Sequence, residues 1–160
     1  MTATTDVSRN GRTLERLAEL GLKLPTPATP VASYVPAVRA GSLIFTSGQL
    51  PLSEGGLART GKVGAEVSAD EAADLARLCT LNALAAVSAL ADLDSIRVVK
   101  VVGFVSSADG FTGQPAVING ASDLLLEIFG ERGEHARSAV GMAELPLNAP
   151  VEVELVVEVP

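Results

Sequence analysis

One cysteine, one histidine, one tyrosine, no tryptophan and four phenylalanines in 160 residues deprive several chemistries of their usual residues. A single cysteine, Cys79, excludes an intramolecular disulfide framework. It lies in an Ala/Leu-rich helical stretch with no His or Lys beside it to stabilise a thiolate, so it reads as a small buried hydrophobe. The single histidine, His135, leaves no cluster for a catalytic zinc and reads as a surface or cap residue. Ser138 is three positions from His135 on an expected strand. The two then point to opposite faces, and Ser-His-Asp chemistry has no support. Twelve Lys and Arg against 19 Asp and Glu give a net charge of -7, with the basic residues scattered. Binding a phosphate backbone needs a positive footprint, so no nucleic-acid partner is expected. No Gly-rich phosphate loop followed by Lys-Ser/Thr occurs. The longest apolar stretches, Val98–Val105 and Val151–Val159, are too short and too charged to cross a membrane. Residues Met1–Asn10 are polar with no apolar core of a signal peptide, so a soluble, cytoplasmic chain is expected.

What is abundant is aliphatic. Hydrophobic residues make up 48% of the chain, enough for one core of Val, Leu, Ile and Ala in a helix-on-sheet architecture. Residues 1–30 read as an N-terminal helix (Arg12–Leu22) and an extended connector with Pro25, Pro27 and Pro30; residues 31–160 read as the main domain. Val31–Val38 and Leu43–Ser47 read as strands around the turn Arg39–Ser42, and the Gly-rich stretch Gln49–Val67 as a long loop. Ser68 with Glu71 forms a capping box that opens a helix running to about Asp92. Ile96–Val105 is β-branched and suits a central strand. Pro115–Phe129 is a second long helix, closed by Gly130 and Gly133. Ala136–Ala143 and Val151–Val159 are the last strands. The fold class is therefore α/β (α+β), with two long helices on one face of a mixed sheet. The other face carries Val and Leu, which predicts burial by self-association.

Two residues stand out for chemistry. Arg137 opens a strand among small neighbours, Ala136, Ser138 and Ala139, so a ligand can reach its guanidinium. That planar fork matches a carboxylate in a bidentate way that lysine cannot. A surface salt bridge to a glutamate is the alternative reading. On the last strand Glu152, Glu154 and Glu158 share one face and the valines share the other. A solvated face accounts for Glu154 and Glu158. Glu152, at the strand entrance near Pro150, is a candidate for handling protons or placing a water. In a simple hairpin Arg137 would pair near Val157, leaving it about 16 Å from Glu152, five residues along the strand. A shared site then needs two subunits or another strand arrangement. Ser47-Gly48-Gln49 ends a strand with a glycine that lets a ligand approach backbone, or forms an ordinary turn. Tyr34 belongs to the core or turns its hydroxyl into a cleft. Asn119 either lines that cleft or satisfies local backbone.

With these residues in view, the chain resembles the YjgF-type Rid family of imine/enamine deaminases, formerly labelled L-PSP-type endoribonucleases. The resemblance runs from about Val31 to Val159 and is carried by Tyr34–Val38, Leu43-Ile44-Phe45-Thr46-Ser47-Gly48-Gln49-Leu50-Pro51, Asn82, Phe111, Asn119, Ala136-Arg137-Ser138, Leu145-Pro146 and Val151-Glu152-Val153-Glu154. It implies a chorismate-mutase-like fold, assembled as a homotrimer with sites between subunits. It implies that Arg137 binds a substrate carboxylate and Glu152 positions or activates water, with Tyr34, Ser47, Gly48 and Asn119 lining the cleft. The implied reaction converts a 2-imino acid or its enamine to a 2-keto acid and ammonia, with no metal or organic cofactor, because an imine carbon is already electrophilic. The chain departs from the better-known deaminases at two places beside the arginine. Ala139 stands where cysteine is common, and His135 where proline is typical. The first alters the pocket. A non-catalytic trimer that binds a small carboxylate is the alternative function; ribonuclease activity is disfavoured by the acidic charge.

Overall fold

The computed structural model describes residues 9–27, 29 and 32–160. In chain order the elements are α1 (Gly11–Glu19), β1 (Ala37–Ala40), β2 (Leu43–Thr46), β3 (Leu52–Ser53), β4 (Gly56–Leu57), α2 (Ala69–Ser88), β5 (Arg97–Ser106), α3 (Gln114–Phe129), β6 (Ala136–Met142) and β7 (Val151–Glu158). Five strands form one mixed sheet in the order β1-β2-β7-β5-β6, and β3 and β4 form a separate small ribbon. The pattern that generates this is a βαβ unit. β5 leads into α3, which returns the chain to β6 parallel to β5, and β7 then fills the gap between β5 and β2, antiparallel to both.

That topology corrects the hairpin expected of the last two strands. β6 and β7 are not neighbours, because β5 lies between them. The loop 143–150 carries the chain over the end of β5, where the Ser106 N–H donates to Pro150 O at 2.9 Å and the Ser107 N–H to Met142 O at 2.9 Å. Arg137 pairs with Val101 rather than with Val157. Long, β-branched β5 lies inside the sheet, paired on both sides by β6 and β7, while β7 holds the middle position.

Alternation on the strands sorts the two faces. Val151, Val153, Leu155 and Val157 of β7 are buried with Val98, Val101 and Val105 of β5 and Ile44 of β2, against the helices. From α2 come Leu75, Cys79, Ala83, Leu84 and Val87; from α3 come Val117, Ile118, Ala121, Leu124 and Leu125. Each fully buried leucine or isoleucine side chain stabilises the fold by about 1.5–3 kcal/mol. The opposite face, with Val38, Phe45, Val140 and Met142 exposed, has no helix over it. Ser68 caps α2, its Oγ accepting from the Glu71 N–H at 3.1 Å, as the capping box predicts. The helix stops at Ser88, four residues before the expected end. The residues Asp92 and Asp94 beyond it cap α1 instead: Asp94 accepts from the Thr13 N–H at 2.8 Å and Oγ1 at 2.7 Å, and from the Arg12 N–H at 3.0 Å. Partial burial raises the Asp94 pKa, but these donors outweigh it and hold the carboxyl below its ordinary value.

Two more expectations need adjustment. β1 occupies Ala37–Ala40, not Val31–Val38, and a two-residue turn joins it to β2, since Ala40 pairs directly with Leu43; Val31 itself lies outside the described residues. The stretch Gln49–Val67 is not an open loop. It contains β3 and β4, Asn82 donates to Leu50 O and Leu52 O at 3.1 Å each, and Arg59 pairs with Glu71 at 3.0 Å. Among the described residues no helix is long and apolar enough to cross a membrane.

Candidate functional site

β6 starts beside α3 because Gly133 permits close approach; a Cβ there would stand 2.3 Å from Leu125 O. Arg137, paired with the buried Val101, therefore faces α3. Its Nη1 donates to Asn119 Oδ1 at 2.8 Å and to Ser122 Oγ at 3.2 Å, and its Nη2 to Pro115 O at 3.4 Å. All three acceptors are neutral. Among the described residues no carboxylate lies within ion-pair distance of Arg137, so the surface salt bridge that its sequence context allowed does not form. A guanidinium has five N–H donors, and three are used. The Nε–H and one Nη2–H remain, on adjacent nitrogens that one carboxylate can bridge. The result is an oriented cation without a counter-ion. Ala139, two residues on and half-buried beside Gly103, keeps the approach along β6 uncrowded.

Asn119 thus acts on Arg137, where its sequence position had left cleft lining or local capping open. Ser122 and His135 were not singled out as site residues, yet both belong to this group. The Ser122 signal was its spacing: three residues after Asn119, it falls on the same face of α3. His135 reaches Ser122 Oγ at 2.8 Å through Nε2 and Gly133 O at 2.6 Å through Nδ1. Ser122, Leu126, Glu134, His135 and Arg137 line an open groove of about 310 Å³.

The other predicted residues assemble elsewhere. After Thr46 the β2 chain bulges through Ser47 and Gly48, then pairs again with β7, Gln49 and Val153 exchanging hydrogen bonds at 2.8 and 3.0 Å. Thr46 Oγ1 accepts from the Leu155 N–H at 2.9 Å, satisfying the strand at the bulge. Ser47 donates its hydroxyl to Val35 O at 2.6 Å, tying down the segment that carries Tyr34. Tyr34, Ser47, Gly48, Leu50, Pro146, Leu147 and Glu152 line a cavity of about 490 Å³. Leu147 and Asn148 both hold φ of 58°, a costly conformation for residues with side chains and one that concentrates at functional sites.

Glu152 is half-buried, and among the described residues no group donates a hydrogen bond to it. Burial raises its pKa above the ordinary glutamate value, and the neighbouring Glu154 raises it further. Such a carboxylate is a better proton acceptor than a solvated one. Removing the negative charge of Glu154 makes ionisation of Glu152 easier. Glu154→Gln is therefore expected to move the acidic limb of any Glu152-dependent activity to lower pH, measured as kcat/KM against pH; a limb that stays in place or moves upward contradicts this coupling. Cys79 is fully buried in the core, its Sγ 3.7 Å from Val151 O, and burial first and Glu152 second push the thiol pKa well up. It is packing, not a nucleophile.

Gly48 is glycine because Glu152 lies over it. A Cβ there would stand 2.0 Å from Glu152 Oε1 and 2.8 Å from its Cδ. The obstacle is the tip of a flexible side chain, so Gly48→Ala displaces the carboxylate rather than the backbone. The variant is expected to unfold within a few degrees of wild type while losing most Glu152-dependent activity; a melting curve beside a rate assay measures both.

Arg137 and Glu152 do not meet within one chain. They pair with Val101 and Phe104 of β5, on strands either side of it, which separates them by about 14 Å. Val101 and Phe104 are three apart, so the two side chains also leave opposite faces of the sheet.

The chain is thus a layered α+β fold with an oriented arginine on the helix-covered side of the sheet and a raised-pKa glutamate in an apolar cleft on the other. The chain belongs to the YjgF family, whose model, described as "YjgF/chorismate_mutase-like, putative endoribonuclease", matches residues 14–159. It is 46% identical over 155 residues to protein TCP17 of Trypanosoma cruzi, covering 95% of this chain and 97% of that one. It is 31% identical over 136 residues to a 2-iminobutanoate/2-iminopropanoate deaminase of Dermatophagoides farinae, covering 85% and 93%. The crystal structure of Atu1372, a protein of unknown function from Agrobacterium tumefaciens, superposes with a TM-score of 0.88 at 47% identity, covering 94% of each chain.

Proposed function

We propose that this protein hydrolyses reactive 2-imino or enamino acids to 2-keto acids and ammonia, at clefts between subunits of a homotrimer in the cytoplasm. The observation that carries the reading is Arg137: a guanidinium fixed by three neutral acceptors, with two adjacent donors left over and no counter-ion among the described residues. Holding such a cation without a partner is useful when the partner is the ligand. The deaminase relative of Dermatophagoides farinae supports the reaction class.

The chemistry then needs little more than placement. Arg137 holds the substrate carboxylate. Water adds to the imine carbon, and Glu152 takes its proton. The same carboxyl returns that proton to nitrogen, giving the carbinolamine; it then relays the hydroxyl proton to the amine, the C–N bond breaks, and the keto acid and ammonia leave. Orienting one water against an electrophile already bound is an effective use of a pocket. Tyr34, Leu50, Pro146 and Leu147 give that pocket apolar walls beside Glu152. The uncovered sheet face, with Phe45, Val140 and Met142, supports the assembly.

The test is release of ammonia and keto acid from freshly generated 2-imino acids, small and bulky. Release above the spontaneous rate is expected. Saturable binding of 2-keto acids with no release from any imine would instead make the protein a carboxylate-binding trimer.

A further inference from the structure

We propose that His135 is a positioning residue that fixes the Arg137 guanidinium through Ser122, and so sets affinity for the ligand carboxylate. This rests on the carboxylate-site reading of Arg137. The Gly133 carbonyl can only accept, so its 2.6 Å contact places a proton on His135 Nδ1. In the neutral ring Nε2 then has no proton and must accept, and the donor at 2.8 Å is the Ser122 hydroxyl. The hydroxyl has one proton, and this contact uses it. Its lone pairs are thereby turned outward, and the Arg137 Nη1–H occupies one of them at 3.2 Å.

The chain Gly133 O, His135, Ser122, Arg137 therefore has one direction throughout, each proton assigned by the group before it. Without His135 the Ser122 hydroxyl is free to rotate, and a helical serine turns readily to a carbonyl one turn back. Arg137 then keeps Asn119 and Pro115 as acceptors but loses the one that fixes the second Nη1 proton. The guanidinium can swing, and the two spare donors no longer hold one plane. A fork that must be ordered by its ligand binds more weakly than one ordered beforehand. His135 also lines the groove beside Arg137, with Ser122, Leu126 and Glu134. It nevertheless makes no hydrogen bond to Arg137 itself, so its influence runs through the serine.

The experiment measures calorimetric binding of 2-oxobutanoate to wild type, Ser122→Ala, His135→Ala, the double variant and His135→Gln, with kcat and KM for the same set. Ser122→Ala is expected to weaken binding about tenfold, the scale of one hydrogen bond to a charged group. His135→Ala should weaken it several-fold, raising KM more than it lowers kcat. The double variant should lose no more than Ser122→Ala, because both changes break one chain. His135→Gln, whose amide oxygen can stand where Nε2 stood, should recover part of the loss. Wild-type affinity in His135→Ala, or losses that add in the double variant, overturns the positioning role while leaving the carboxylate site standing. No binding by the wild type overturns both.

Discussion

Arg137→Ala is expected to lower kcat/KM for 2-imino acids by about a thousandfold while leaving the fold intact. Two charge-assisted hydrogen bonds to a carboxylate contribute roughly 4 kcal/mol together, and each 1.4 kcal/mol is a factor of ten. The fold effect should be small for a separate reason. The groups that Arg137 orders, Asn119 Oδ1 and Pro115 O, belong to exposed residues and Ser122 is half-exposed, so water can replace the guanidinium. Loss of stability of about 1 kcal/mol or less is expected. Arg137→Lys separates charge from geometry. It restores the positive charge but not two donors on adjacent nitrogens, and an ammonium does not reach Asn119, Ser122 and the ligand in one plane. Lysine should recover only a minor part of the activity. Steady-state kinetics with a melting curve for each variant make the measurement. An Arg137→Ala enzyme as active as wild type would remove the carboxylate site from the proposal. A lysine variant equal to wild type would show that charge alone suffices.

Glu152 lies on the opposite face of the sheet, in a cavity of its own. Its raised pKa follows from burial and from Glu154, both consequences of the valine–glutamate alternation that places three carboxylates on the uncovered face of β7. Only Glu152 is at the strand entrance, where Gly48 leaves it room and the loop 143–150 gives it apolar company. Glu158 at the far end pairs with Arg97 at 3.2 Å. One strand pattern therefore yields a solvated ion pair at one end and a poised carboxylate at the other.

Much of this was legible in the sequence, and the limits have physical reasons. Ser68 with Glu71 fixed the start of α2, because a cap is a local interaction between residues three apart. The end of α2 was not legible. Ala89–Asp92 continues a plausible helical pattern, and what stops the helix is Asp92 and Asp94 being taken by α1, eighty residues away in sequence. Alternation on β7 gave its faces correctly, since period two depends only on the strand. Its partner could not be read from β7 alone. Adjacent segments suggest a hairpin, but the length of α3 makes β5 and β6 a parallel pair and sends β7 to the other side of β5. Arg137 stood out for its small neighbours. Ser122 and His135 did not, because their significance lies in a hydrogen-bond chain joining a helix to a strand entrance. The three-residue spacing of Asn119 and Ser122 marks a shared helix face, but no spacing rule ties that face to His135.

Mixing two inactive variants is expected to restore activity. Arg137 and Glu152 leave opposite faces of the sheet about 14 Å apart, so no side-chain rotation lets them share one ligand within a chain. If both act on it, they come from different copies. Arg137→Ala retains Glu152, and Glu152→Gln retains Arg137. In a closed trimer each interface takes the arginine from one subunit and the glutamate from the next. Equal amounts of the two variants, unfolded together and refolded, give an intact site wherever a Glu152→Gln subunit presents its arginine to an Arg137→Ala subunit. Random assembly does so at roughly one site in four. About a quarter of wild-type activity should therefore return, although each variant alone has almost none. Glu152→Gln should itself fold well, because the carboxylate it removes has a raised pKa. Such a group destabilises the fold above its folded-state pKa, and the penalty disappears as pH falls below the unfolded value. At neutral pH the amide should be neutral to stabilising. A double variant carrying both changes, refolded with wild type, supplies the control: wild-type subunits then complete only the sites they form with each other, again about one in four. No recovery in the first mixture, with the control behaving as stated, would mean that Arg137 and Glu152 do not act on a common ligand across an interface.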